Sequence, residues 1–216
     1  MTGTWLGIDT TSILGGVALV GDGELLMETI LPVRAFHSEK LLPAVAEIME
    51  SSGVRGPDLA GIGVSGGPGS YTGLRIGIAT AMGLSAGWGV PLKGVSTLRV
   101  IASLLPEGPV LSCIRARKGE VFAGAFSSPD PGSDELIQPG LYTSVNLHAL
   151  LEGTEYSAAG SGRAECFSPS GTRWASSLLD SPRPSAAAVC AAAEAEAKGF
   201  DQHLEPFYLR RFNEKI

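Results

Sequence analysis

Apolar positions follow two periods along this chain, and each switch between them marks an element. Trp5 to Ile8 and Ile13 to Val20 are short, nearly continuous apolar runs of the kind that form buried strands. The turn at Gly21, Asp22 and Gly23 leads into a third strand, Glu24 to Leu31. The period then lengthens to that of a helix. Leu41, Leu42, Val45, Ile48 and Met49 line one side of a helix over 39–52, capped by Ser38 and closed by Gly53, with Pro43 a mild cost in the first turn and a larger one if deeper. A short strand, Gly61 to Val64, passes through Gly66, Gly67 and Gly69 into a second helix over 72–86, with Thr72 as its cap. Val90 to Val95 follows as a strand, and Ser96 opens a helix to about Leu105.

The pattern then restarts. Val110 to Ile114 and Glu120 to Phe126 form a hairpin around Lys118 and Gly119. Positions 129–139, with three prolines, read as a polar loop. Asn146 caps a short helix to Leu151, Tyr156 to Ala159 is a strand, and Ala186 to Ala197 is an alanine-rich helix. Three meandering strands, alternating helices and strands, and then a second hairpin predict an α/β protein of two related subdomains. They span 1–98 and 99–216, the second the smaller.

The helix over 72–86 is unusual in carrying Gly73, Gly77 and Gly83 inside it. Each costs about 1 kcal/mol relative to alanine, so close approach to the helix backbone must compensate. Gly73, Gly77 and Ala81 recur every four residues as one smooth stripe beside Leu74 and Ile78. The spacing alone leaves two readings even: packing inside the fold, or docking of a partner.

Composition narrows the function. The chain has 216 residues, is 44% hydrophobic and holds 29 glycines, which suits a compact α/β protein. Its net charge of −6 argues against this chain alone gripping a phosphate backbone. Cys113, Cys166 and Cys190 are odd in number and widely spaced, as in a reducing cytosol. With no basic leader and no long apolar run, a cytoplasmic protein without signal peptide or membrane span is expected.

Few residues offer chemistry. Asp9, Thr10, Thr11 and Ser12 lie between the first two strands, where their side chains suit either a local turn or a phosphate site; no glycine follows Asp9 to let phosphate reach the backbone. Gly61, Gly63 and Gly66 have dinucleotide-fingerprint spacing but sit within the strand, ahead of Pro68, and no Walker-type loop exists. Gly63, Ser65 and Gly67 fit the nucleophile elbow of hydrolases, with His148 or His203 and Asp130 as triad partners; the glycine turn behind Ser65 delays the helix that such an elbow needs. That reading is the alternative from a different class. His37, His148 and His203 are too scattered for a metal site. Arg115, Arg117, Lys118, Arg210 and Arg211 read as solvated surface, with a minor contact to RNA or an acidic face as the functional option.

The run GPGSYTGLRIG from Gly67 to Gly77 resembles the signature of the bacterial TsaB (YeaZ) family, with Tyr71 where Phe is common. Leu6 to Ser12, His37 to Pro43, Gly94 to Leu98, Ala116 to Phe122 and Pro206 to Arg210 are similar to further blocks of that family, in the same order. Arg115 departs from it, standing where the family often has Asp. The resemblance implies the fold of actin, heat-shock chaperone ATPases and sugar kinases (ASKHA). It implies that Asp9, Thr10, Thr11 and Ser12 are a vestigial phosphate loop, since such a loop in nucleotide-binding members sets an acid and hydroxyls around the phosphates. It further implies a non-catalytic subunit for making N6-threonylcarbamoyladenosine at position 37 of tRNAs reading codons that begin with A. In that scheme TsaD transfers the threonylcarbamoyl group, TsaE is the ATPase, and tRNA is met only through the complex. No cofactor or metal of its own is expected; ATP or ADP, where bound, lies at the partner interface. The family's first two helices form its homodimer and its heterodimer with TsaD. That assigns the interface to Leu41, Leu42, Val45, Ile48, Met49, Tyr71, Thr72, Gly73, Arg75, Gly77 and Ala81.

Overall fold

The computed structural model describes residues 3–32, 37–151, 153–162, 172–174 and 204–207, and the helical positions 186, 189 and 193. Arg210, Arg211, Cys166, Cys190 and His203 lie outside the described residues. The chain divides into two compact units. The first holds the described residues up to Val100 with those between Arg183 and Pro206; the second holds those from Ile101 to Pro182, with Phe207. The division thus falls after Val100 rather than after residue 98, and the helical positions near 190 return to the first unit.

In the first unit, β1 (Thr4–Asp9), β2 (Leu14–Gly21) and β3 (Glu24–Pro32) form an antiparallel meander. β4 (Gly61–Gly67) adds parallel to β1, and β5 (Leu92–Ser96) parallel to β4, giving the order β3-β2-β1-β4-β5. α1 (His37–Ser52) and α2 (Tyr71–Trp88) supply the crossovers and pack on the sheet. α1 begins at His37, so Ser38 lies inside it rather than capping it. Leu41, Ala44, Val45, Ile48 and Met49 recur at helical spacing and bury against Leu6, Ile8, Val17, Leu19, Ile62 and Val64. Leu42 sits about 100° around the helix from Leu41 and faces outward, 52% exposed. The other face of the sheet, with Trp5, Val20 and Val95, is covered by Val189 and Ala193. Ala193 approaches so closely that a Cβ on Gly63 would lie 2.7 Å from its methyl group.

α3 (Thr97–Ala102) leads into the second unit, which repeats the topology of the first. β6 (Val110–Arg115), β7 (Glu120–Phe126) and β8 (Glu135–Thr143) form an antiparallel meander. After α4 (Ser144–Leu151), β9 (Tyr156–Ala159) adds parallel to β6 and β10 (Thr172–Trp174) parallel to β9. The order β8-β7-β6-β9-β10 matches the first sheet strand for strand. This twofold α/β plan is the one that the resemblance implies.

Two sequence expectations fail here for physical reasons. The loop expected over 129–139 gives way at Glu135 to β8, which carries Pro139. An edge strand tolerates a residue without an N–H, and the ladder with β7 is irregular between Ala123 and Ala125. α4 starts at Ser144, and the hydroxyl of Thr143 accepts from the Asn146 amide at 3.2 Å, so Thr143 is the capping group in place of Asn146.

Candidate functional site

Parallel pairing of β1 with β4, in register from Trp5 with Gly61 to Ile8 with Val64, brings the C-terminal ends of both strands to one edge of the sheet. Asp9 ends β1 there, and Ser65 is the next residue along β4. Asp9, Thr10, Thr11 and Ser65 are all buried. The glycine loop after β4 then folds back over Thr10 and Thr11. The Ser70 amide donates to the Thr11 carbonyl at 2.8 Å, and the Thr10 hydroxyl donates to the Gly73 carbonyl at 2.7 Å. Ser70, not Thr72, caps α2: its hydroxyl accepts from the Gly73 amide at 3.2 Å, and Thr72 lies within the first turn.

The glycines of α2 have their explanation at this contact. A Cβ on Gly73 would strike the Thr10 carbonyl oxygen, and one on Gly77 would strike the Thr10 hydroxyl. A Cβ on Gly69 would come within 2.6 Å of Thr11. The body that approaches α2 is this chain's own loop. Ala81 continues the stripe into the core around Ile62 and Val64.

Asp9 is the charged member of the site. Its Oδ1 accepts from the Thr11 hydroxyl at 2.7 Å and from the Thr11 amide at 3.2 Å. Its Oδ2 and the Ser65 hydroxyl are both buried without a hydrogen-bond partner. Burial pushes the Asp9 carboxyl up to about 6, against the easing effect of the Thr11 and Ser65 hydroxyls and of the Thr11 and Thr10 backbone. Ser12 turns away and donates to the Leu14 carbonyl at 2.7 Å. The loop is tied by local hydrogen bonds and by long-range ones to α2 and the glycine loop.

The second unit closes its equivalent edge in the same way. The Gly162 amide donates to the Cys113 carbonyl at 3.2 Å, and the Arg115 amide donates to the Ser161 hydroxyl at 3.2 Å. A Cβ on Gly160 would strike the Cys113 carbonyl.

The structure separates the eleven proposed interface residues. Leu41, Val45, Ile48, Met49, Gly73, Gly77 and Ala81 are buried within the first unit and are not surface groups. Packing within this chain's own core already occupies them. Leu42, Tyr71, Thr72 and Arg75 face outward, with the Arg75 guanidinium 4.1 Å from the centre of the Tyr71 ring. A second set of small residues on α2, Ala79, Gly83 and Gly87, is exposed, and a Cβ on Gly83 or Gly87 would meet nothing within 4 Å. The same four-residue spacing, begun two positions before Ala81, carries this outer stripe, and the sequence reading passed over it.

Ser65 does not have the setting of a nucleophile. It lies inside β4 rather than on a turn behind it, is 1% exposed, and its hydroxyl has no hydrogen-bond partner among the described residues. Among the described residues no group of three His, Cys, Asp or Glu side chains could hold a metal ion. No described helix is long and apolar enough to cross a membrane. Arg115, Arg117 and Lys118 are exposed at the β6–β7 hairpin.

Known proteins share sequence and fold with this chain. The model of the family described as TsaD, tRNA N6-adenosine threonylcarbamoyltransferase, matches residues 30–197. The tRNA threonylcarbamoyladenosine biosynthesis protein TsaB of Escherichia coli K12 is 38% identical over 131 residues, covering 59% of this chain and 56% of that protein. The Bacillus subtilis 168 protein of the same name is 34% identical over 125 residues, covering 57% and 55%. The chain thus aligns with little more than half the length of these curated relatives. YeaZ from Pseudomonas aeruginosa shares the fold, with a TM-score of 0.80 at 24% identity over 95% of this chain and 99% of that one.

Proposed function

The chain belongs to the TsaB (YeaZ) family, and from that premise we propose that it is a non-catalytic platform subunit in threonylcarbamoyladenosine synthesis on tRNA. Its partner in this reading is TsaD, which carries the transfer to adenosine 37 of tRNAs reading codons that begin with A. TsaE joins the assembly as the ATPase, and the chain pairs with itself when alone.

One observation carries the non-catalytic reading. Where a nucleotide-binding relative of this fold would open a loop to phosphates, Thr10 and Thr11 are bonded to α2 and to the glycine loop of the same chain. Opening that loop would break the Thr10–Gly73 and Ser70–Thr11 hydrogen bonds together. A nucleotide, where one takes part, is accordingly placed at the TsaD interface. The net charge of −6 favours tRNA contact through the complex rather than through this chain. The chain acts in the cytoplasm in this reading.

The surface that meets TsaD is assigned to the outward sides of α1 and α2: Leu42, Tyr71, Thr72 and Arg75, extended by Ala79 and Gly83. Small residues there let a partner helix approach the α2 backbone closely, which gives the exposed glycines a use that internal packing does not.

Reconstituted synthesis on unmodified tRNA tests this reading. Omitting the chain is expected to abolish product, Ser65→Ala to retain it, and Leu42→Glu to reduce it together with TsaD binding. Full product without the chain would overturn the platform role. Loss with Ser65→Ala, in a protein that still binds TsaD, would return the serine hydrolase reading.

A further inference from the structure

Asp9 is an expensive residue to bury. Its carboxyl is fully buried, one oxygen grips Thr11, and the other meets no hydrogen-bond partner. Beside it on the adjoining parallel strand lies a second orphan, the Ser65 hydroxyl. The two stand outside hydrogen-bond geometry, yet the hydroxyl is near enough to ease the carboxylate's charge. Thr11 in turn holds the glycine loop through the Ser70 amide, and Ser70 caps α2. A connected path therefore runs from the carboxyl to the first turn of α2.

We propose that Asp9 and Ser65 form a proton-linked latch beneath the glycine loop: ionised Asp9 grips Thr11 and holds the first turn of α2, and protonation of Asp9 loosens that grip. The ionised carboxylate accepts charge-assisted bonds from the Thr11 amide and hydroxyl, roughly twice as strong as neutral ones. On acidification Oδ2 takes a proton from water and gains the ability to donate it toward Ser65 Oγ. That relieves both orphans while Oδ1 becomes a weaker acceptor. The raised carboxyl places the change near pH 6. No other described charge competes for it. β2 and β4 carry no titratable side chain, Tyr71 and Arg75 of α2 are exposed, and the positions covering the sheet behind Ser65, Val189 and Ala193, are apolar.

The latch has an unusual signature: local protection and global stability move in opposite directions with pH. Amide hydrogen exchange read residue by residue, with urea unfolding alongside, measures both between pH 5 and 7.5. Protection of the Thr11 and Ser70 amides is expected to fall about fivefold on acidification while the whole fold becomes more stable. Asp9→Asn should abolish the pH dependence at both amides. Ser65→Ala should move its midpoint to higher pH, because the hydroxyl that eases the charge is gone. Protection that is flat with pH, or that follows global stability, would overturn the latch. An unmoved midpoint in Ser65→Ala would remove Ser65 from it. Should Asp9→Asn fail to fold, the native profile and the Ser65→Ala midpoint decide the matter by themselves.

Discussion

At the scale of single residues, Asp9 lowers the stability of the fold it sits in. Its folded carboxyl titrates at about 6 against an ordinary 3.8. Between those values the native state binds more protons than the unfolded chain, so stability falls as pH rises through that window. Above it the loss is complete, at about 3 kcal/mol. Asn in place of Asp9 removes that loss and gives back about 1 kcal/mol in weakened bonds to Thr11. Asp9→Asn is therefore expected to be more stable than the native chain by about 1–2 kcal/mol at pH 7.5, with the advantage gone below pH 4. Urea unfolding of both proteins at the two pH values checks it; equal stabilities at pH 7.5 would contradict the sign. The sequence placed Asp9 in a polar loop between strands, but its cost comes from burial, and its neighbours Thr10 and Thr11 are covered by Gly69 and Gly73, some sixty residues away. No local pattern carries such a contact.

At the scale of elements, the glycine spacing in α2 was legible and its meaning was not. Three glycines inside a helix announce that something comes close, and Thr10 does so at Gly73 and Gly77. The spacing could not say that the inner stripe serves the fold while the exposed Ala79 and Gly83 remain open. The two stripes give opposite predictions for one change. Gly77→Leu should destabilise the first unit by about 1–3 kcal/mol or more, since its side chain has no room against Thr10. Gly83→Leu should leave the monomer about 1 kcal/mol more stable, as an exposed helix glycine replaced by a good helix former, while weakening TsaD binding at least tenfold. Thermal unfolding and a binding titration on both variants separate the stripes. Tight TsaD binding by a folded Gly83→Leu would place the interface elsewhere. α1 shows the same limit on a smaller scale. Its apolar period was readable, yet Leu42 was assigned with Leu41, although one step around a helix turns a side chain from the core to solvent.

At the scale of the molecule, the duplicated strand order is the most general result. The first meander was plain in the sequence because β1 and β2 are nearly continuous apolar runs and the glycine turn at 21–23 sets off β3. The copy in the second unit was half hidden. Its third strand is an edge strand with Pro139 inside, and its fifth is the three-residue β10, too short for a period to show. Chain order also misled on where the units end. The helical positions near 190 follow the second unit in sequence but cover the first sheet at Trp5, Val20, Val95 and Gly63. The first unit should therefore fail when that distant segment is altered. Val189→Asp puts a carboxylate into a fully buried apolar contact and is expected to cost about 3 kcal/mol or more. The damage should fall on one unit. Amide protection should be lost in β1, β4 and β5, including Leu6 and Val64, while Leu111 and Val121 in the second sheet keep theirs. Equal loss in both sheets would mean that the two units unfold as one. Loss confined to Leu111 and Val121 would mean that the segment supports the second unit, as its place in the sequence had suggested.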